Sequence, residues 1–144
     1  RIALIGAGRH AQHHARAILR CPGVQLVAVA DPSDAAQAAM RDIVPGIGCF
    51  KTPEELFASE KLHVVHIITP PATHAPLARM ALKAGCHIYV EKPFTESVED
   101  AQQLLDEASA KGLRVCAGHQ LLYEPPTRVL TQYLPSIGGV VHVE

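Results

Sequence analysis

The sequence predicts an α/β fold built on a doubly wound parallel sheet, and three observations predict it. Short apolar runs, Ile2–Ile5, Val24–Ala30, Val64–Ile68, His87–Val90 and Leu113–Ala117, alternate with stretches of helical spacing. Most of these runs are continuously apolar, as strands buried on both faces should be. The order strand, helix, strand, helix supplies the crossover that each parallel pair requires. Together these give helices on both faces of one sheet.

The elements follow in order. Arg1 enters the first apolar run at once, with no initiator Met or leader, so trimming at this end is expected. Gly6-Ala7-Gly8-Arg9-His10-Ala11 closes that run and opens the first helix. Thr52-Pro53-Glu54-Glu55 reads as a capping box with proline at the first helical position. Thr73 is expected to cap the next helix, whose first turn holds Pro76 without losing a needed donor. That helix stops at Lys83-Ala84-Gly85, a basic turn and a glycine. Val98, Ala101, Leu104, Leu105 and Ala108 form a helical stripe that stops at Lys111-Gly112 in the same way. Residues 1–120 therefore read as one domain. Beyond them, Glu124-Pro125-Pro126 precedes a helix expected from about Thr127 to Leu134, and Ile137-Gly138-Gly139 turns into a strand at Val140–Val143. A strand without a partner makes 121–144 the start of a second α/β domain that is missing from this chain.

Composition narrows the function. A chain of 144 residues buries about two thirds of its unfolded surface, enough for a core without disulfides. Hydrophobic residues at 48% and charged residues at 19% mark a globular chain. Aromatics at 4% with no Trp argue against stacking platforms for nucleic acid. Thirteen basic and fourteen acidic side chains leave a charge of −1, so no basic field collects nucleic acid or an anionic membrane. No apolar run approaches the ~18 residues of a membrane span. Cys21, Cys49, Cys86 and Cys116 stand singly without a C-x-x-C pair, as buried thiols in a reducing cytoplasm do.

The loops after the strands carry the chemistry. Gly6 permits a tight turn, and Gly8 lets backbone approach a pyrophosphate at the helix N-terminus, with Arg9 and His10 beside it. Ala11 stands where a third glycine allows close helix packing. Asp31 ends the second run, 23 residues after Gly8, where it accepts from both adenosine ribose hydroxyls and repels a 2′-phosphate. NAD is favoured over NADP, with Arg9 as the residue that argues the other way. The bland reading is a glycine turn with Asp31 capping a helix before Pro32. Thr69-Pro70-Pro71-Ala72-Thr73-His74 leaves the Val64–Ile68 run, where a nicotinamide or its ribose would rest; a proline-rich turn is the alternative. Glu91-Lys92-Pro93 leaves the His87–Val90 run at the same edge. An ammonium at Lys92 near a reacting hydroxyl orients it, stabilises alkoxide character and joins a proton relay; a surface ion pair is the competing reading. His10 and His14 are i, i+4 on one helix and could in principle grip a metal, but no carboxylate or cysteine completes the set, so no metal is expected. His63 and His66 are three apart on a strand and read as packing or surface residues.

Taken together, these motifs resemble the Gfo/Idh/MocA (glucose–fructose oxidoreductase / inositol dehydrogenase) family. The resemblance rests on the glycine loop, Asp31, Thr69-Pro70-Pro71 with His74, Ala81-Leu82-Lys83-Ala84-Gly85, Glu91-Lys92-Pro93 and Gly118-His119. It implies a Rossmann domain followed by an α/β domain with an open, mostly antiparallel sheet that covers the nicotinamide, binds substrate and builds a homo-oligomer. It makes Lys92 the catalytic lysine, sets Glu91 and Pro93 near the nicotinamide ribose, and lines the same end with Pro71, His74 and His119. The implied reaction moves a hydride between NAD and a secondary alcohol or ketone of a sugar, cyclitol or sugar nucleotide. Two departures stand out. Leu122-Tyr123 occupies the place of an arginine–aromatic pair, and no D-x-x-x-H pair with its general base follows Lys92. The stretch from Gly118 to Pro125 looks like members acting on nucleotide-linked sugars. The chain alone is therefore expected to bind NAD weakly without turnover. A non-catalytic NAD-binding regulator or partner module is the alternative, and a reductase of an imine or unsaturated ring a third reading.

Overall fold

Six parallel strands make one sheet in the order β3-β2-β1-β4-β5-β6. They are β1 (Ile2–Ile5), β2 (Leu26–Ala30), β3 (Gly48–Phe50), β4 (Val64–Ile67), β5 (His87–Val90) and β6 (Val115–Ala117). The helices are α1 (Arg9–Ile18), α2 (Asp34–Ile43), α3 (Pro53–Ser59), α4 (His74–Lys83), α5 (Val98–Ala110) and α6 (Pro125–Tyr133). This computed structural model describes residues 1–136 and Gly138. Among them no helix is long and apolar enough to cross a membrane.

Successive side chains of a strand point to opposite faces, and β1 shows the consequence. Ala3 and Ile5 join the core formed with Leu56 of α3, Leu82 of α4 and Leu104 of α5. Ile2 and Leu4 join the core formed with Ala11 and Ala15 of α1 and Met40 of α2. The doubly wound architecture expected from the apolar runs is thus the one observed. The strand ends are tighter than the runs. Val24 lies outside β2 and is exposed, because the ladder begins only at Leu26. β3 has no apolar run to announce it. It is a three-residue edge strand, held by pairing with Ala28–Ala30.

β4 and β5 depart from the expected double burial and alternate instead. His66 and Tyr89 are paired in register across the two strands, on the half-buried side, with rings stacked at 4.8 Å.

Three local expectations change. The Thr52 side chain accepts from the Glu55 N–H at 3.2 Å as a cap should, but the Glu55 carboxylate reaches back to the Lys51 N–H, one residue earlier than a capping box requires. Thr73 makes no side-chain cap; its hydroxyl lies 2.7 Å from both the Thr69 hydroxyl and the Pro70 carbonyl, which draw it away from the helix. The α5 stripe is narrower than five residues. Leu104 and Ala108 are buried, whereas Val98, in the first turn, is 80% exposed and Leu105 faces outward at the rim. Helix ends follow the sequence more closely: α4 stops where the Cys86 N–H donates to the Ala81 carbonyl around Gly85. The helix expected from Thr127 begins at Pro125, since prolines in a first turn lose no helical donor. The strand expected at Val140–Val143 lies outside the described residues.

Candidate active site

The strand order reverses between β1 and β4, and the loops leaving their carboxyl ends enclose a cleft of about 640 Å³. Ligands of doubly wound folds bind at such a switch point. Gly6 forms its floor with φ +96°, a conformation closed to most side chains, and its N–H donates to the Ala30 carbonyl at 2.8 Å. A Cβ there would collide with the Ile68 carbonyl. Gly8 is the residue before α1, and a Cβ added to it would meet nothing within 4 Å. Open space over the first turn of a helix, whose N–H groups lack intrahelical partners, is what an anionic group needs. Arg9 and His10 follow, both exposed.

Asp31 sits at the end of β2 and binds the loop directly. Its Oδ2 accepts from the Ala7 N–H at 2.7 Å and its Oδ1 from the Ser33 N–H at 2.8 Å. The residue therefore holds the glycine loop against β2. Each carboxylate oxygen keeps a second lone pair for a ribose hydroxyl, so holding the loop and binding a ribose are compatible. Lys51, which stands in no recognisable motif, also lines the cleft. Its Nζ donates to the Pro32 carbonyl at 3.0 Å and to Asp34 Oδ1 at 2.5 Å, and this bond holds the Asp34 carboxyl below its ordinary pKa.

Pro71 lies in an exposed 3-10 turn, while His74 is buried beneath it at 1% exposure. The His74 Nδ1 is 2.7 Å from the Pro93 carbonyl and its Nε2 is 2.8 Å from the Thr69 carbonyl. A carbonyl only accepts, so a ring with one N–H donates to one of them and a doubly protonated ring to both. Either way His74 ties the loop after β4 to the loop after β5, from below. His74→Leu removes both ring nitrogens and leaves the Thr69 and Pro93 carbonyls without this partner. We expect a loss of about 1–3 kcal/mol in urea unfolding; a loss under ~0.5 kcal/mol would mean that the tie is not a structural one.

The second loop holds Lys92, exposed beside a hollow of about 220 Å³ formed with His10, Ile68, Thr69 and Glu91. The Lys92–Pro93 peptide is cis. Glu91 is buried, and its Oε2 accepts from the Lys92 N–H at 3.2 Å. Its Oε1 lies 3.1 Å from His14 Nε2 and 3.5 Å from His10 Nε2. A carboxylate for this histidine pair, absent from the expectation drawn from sequence, comes from 77 residues away in sequence from His14. His66, expected merely to pack, completes the cluster with its Nδ1 3.1 Å from His14 Nδ1. Burial pushes the His66 pKa down to about 4, helped by His14 and opposed by Glu91. Burial also lowers His14 despite the opposing pull of Glu91. Tyr89 rises to about 12 through burial first and the Glu91 charge second. Gly118 is buried beside them, where a Cβ would sit 3.0 Å from the Tyr89 hydroxyl and 3.1 Å from Glu91 Oε1. His119 stands exposed just beyond, at the same sheet edge.

Inositol 2-dehydrogenase of Agrobacterium fabrum is 35% identical over 117 residues, covering 80% of this chain and 35% of that protein. UDP-N-acetylglucosamine 3-dehydrogenase of Acidithiobacillus ferrooxidans is 31% identical over 132 residues, covering 92% of this chain and 41% of that one. The crystal structure of the WlbA (WbpB) dehydrogenase from Thermus thermophilus in complex with NAD and UDP-GlcNAcA superposes with a TM-score of 0.86 at 30% identity, over 96% of this chain and 48% of that one. The chain thus spans less than half the length of these relatives. Residues 1–119 match the family described as the oxidoreductase family with an NAD-binding Rossmann fold. On this match, with relatives at 30% identity or more over most of the chain, the chain belongs to the Gfo/Idh/MocA family of oxidoreductases.

Proposed function

We propose that this chain is the nucleotide-binding part of a dehydrogenase acting on a secondary alcohol, or the matching ketone, of a sugar, cyclitol or sugar nucleotide. The observation that carries the reading is the convergence of three loops at one sheet edge: the open helix start at Gly8, Asp31 at the far end, and Lys92 beside its hollow. The cleft fits NAD. The first turn of α1 faces the place of the pyrophosphate, Asp31 that of the adenosine ribose, and Thr69, Pro70 and Pro71 the nicotinamide end. Pro93 bounds that end, and His119 extends it. NAD, when bound, supplies the acceptor for a hydride. Lys92 orients the substrate hydroxyl and stabilises its developing negative charge through the ammonium. Glu91 and His74 fix the backbone on either side of Lys92.

The relatives are named for inositol, UDP-sugar and glucoside substrates, which supports a sugar-like substrate here. Residues 121–144 begin a second domain that supplies the general base and builds a homo-oligomer. Support comes from Leu121, Leu122, Tyr123, Leu130 and Tyr133, which are exposed before and along α6. The four cysteines are unpaired, in keeping with a reducing cytoplasm.

Calorimetric titration of the whole protein with NAD and NADP tests the cofactor half. We expect NAD to bind at least ~10-fold tighter, and Asp31→Ala to lose ~10-fold or more of NAD affinity, about 1.4 kcal/mol. The Asp31→Ala melting temperature is read in parallel, because the Ala7 contact goes too. Equal affinity for both dinucleotides would remove Asp31 from the ribose.

A further inference from the structure

His10, His13, His14 and His66 line a single groove of about 400 Å³ beside the cofactor cleft, together with Cys21 and Glu91. From this cluster we infer that His10, His14 and Glu91 bind one divalent transition-metal ion, with zinc the ion their donors favour.

The donors come from firm positions. His10 and His14 are one turn apart on α1, so both rings leave the same helix face. Glu91 follows β5 directly and is buried. The donor atoms of the three residues already lie within 4.8 Å of one another. Bonds of about 2.0–2.2 Å around a tetrahedral zinc separate neighbouring ligand atoms by about 3.3–3.6 Å. The observed 3.1 Å from His14 Nε2 to Glu91 Oε1 and 3.5 Å from His10 Nε2 to the same oxygen are close to such edges. Closing the remaining edge falls to His10, whose side chain is 55% exposed and has room to turn.

The surroundings match a built metal site. An imidazole that ligates through one nitrogen needs its other nitrogen held, which fixes ring orientation and tautomer. His14 has this support, because its Nδ1 is 3.1 Å from His66 Nδ1, and His66 is in turn stacked on Tyr89. With Nε2 given to the ion, His14 keeps its hydrogen on Nδ1 and donates to His66. The groove supplies an entry path and a place for a water as fourth ligand. Two imidazoles and one carboxylate suit zinc, cobalt or nickel; magnesium and calcium prefer oxygen ligands throughout. An ion here would join the start of α1, just past the glycine loop, to the residue before Lys92.

Titration of the whole protein with cobalt(II) tests this, following the visible absorption of the tetrahedral ion, which does not depend on turnover. We expect saturation at one equivalent and displacement by zinc. His10→Ala removes an exposed ligand with little cost to the fold, and Glu91→Gln keeps the shape while removing the charge. Each should weaken cobalt binding by ~10-fold or more, whereas His63→Ala, outside the groove, should leave it unchanged. No saturable spectrum overturns the site. A spectrum that survives in both His10→Ala and Glu91→Gln overturns it equally, since the ion would then be bound elsewhere.

Discussion

Lys92→Ala should lower kcat by about 10² or more in the whole protein, with the affinity for NAD within a few-fold of the parent. A factor of 10² corresponds to about 2.7 kcal/mol of transition-state stabilisation, within reach of one positioned proton-transfer group. The geometry explains why the effect belongs in kcat. The Lys92 backbone is held through its own N–H by Glu91 and through the following Pro93 carbonyl by His74. The side chain itself is exposed beside the small hollow and spends nothing on structure. Its removal therefore leaves the cleft in place and, on the proposed role, takes away the contact to the reacting oxygen. Lys92→Arg keeps the charge but holds its proton too tightly to pass it on, so it should recover little activity. If kcat barely moves in Lys92→Ala, or if only KM rises, Lys92 binds substrate without taking part in the chemical step.

Gly6→Ala should destabilise the chain by about 3 kcal/mol or more, lowering the melting temperature by roughly 10 °C at this size. Two costs add. Alanine is strained at φ +96°, and its methyl group would point into the Ile68 carbonyl, with the carbonyl carbon only 2.9 Å away. Both colliding groups are backbone, so no side-chain rotation relieves the contact. Gly8→Ala is the contrasting variant. Its φ of −63° is ordinary and its Cβ site is open. The fold should keep its stability, while NAD affinity falls at least ~10-fold because the methyl group occupies the pyrophosphate approach. Equal melting curves for Gly6→Ala and the parent would show that the β1–α1 turn relaxes away from Ile68.

Most of the architecture was legible because its signals are local. Apolar runs marked five of the six strands, although only β1 and β2 are buried on both faces, while β4 and β5 alternate. Thr52, Gly85 and Gly112 marked helix ends, because a glycine or a capping hydroxyl acts within four residues of itself, whereas the Thr73 hydroxyl is drawn away from its helix. β3 was invisible: Gly48-Cys49-Phe50 earns its place by pairing with β2, and pairing leaves no trace in three residues. Val98 and Leu105 share the periodicity of the α5 stripe yet stay exposed, because periodicity specifies a face and only the neighbouring elements specify how wide a face is covered.

The candidate site divides along the same line. Gly6, Gly8, Asp31 and Lys92 could be named from sequence, because each stands in a short motif whose chemistry is complete within a strand end and its loop. What those motifs do to one another depended on chain topology. Asp31 reaches back to the Ala7 N–H only because β2 lies beside β1. His74 became a buried tie between two loops because β4 and β5 are adjacent. Glu91 met His14 across 77 residues, and His66 joined them across 52, because α1 packs over the ends of strands that come much later in the chain. Short-range chemistry is written in residue order, whereas contacts between distant residues follow from the order of strands in the sheet, where the packing of apolar faces decides which polar side chains come to share a site.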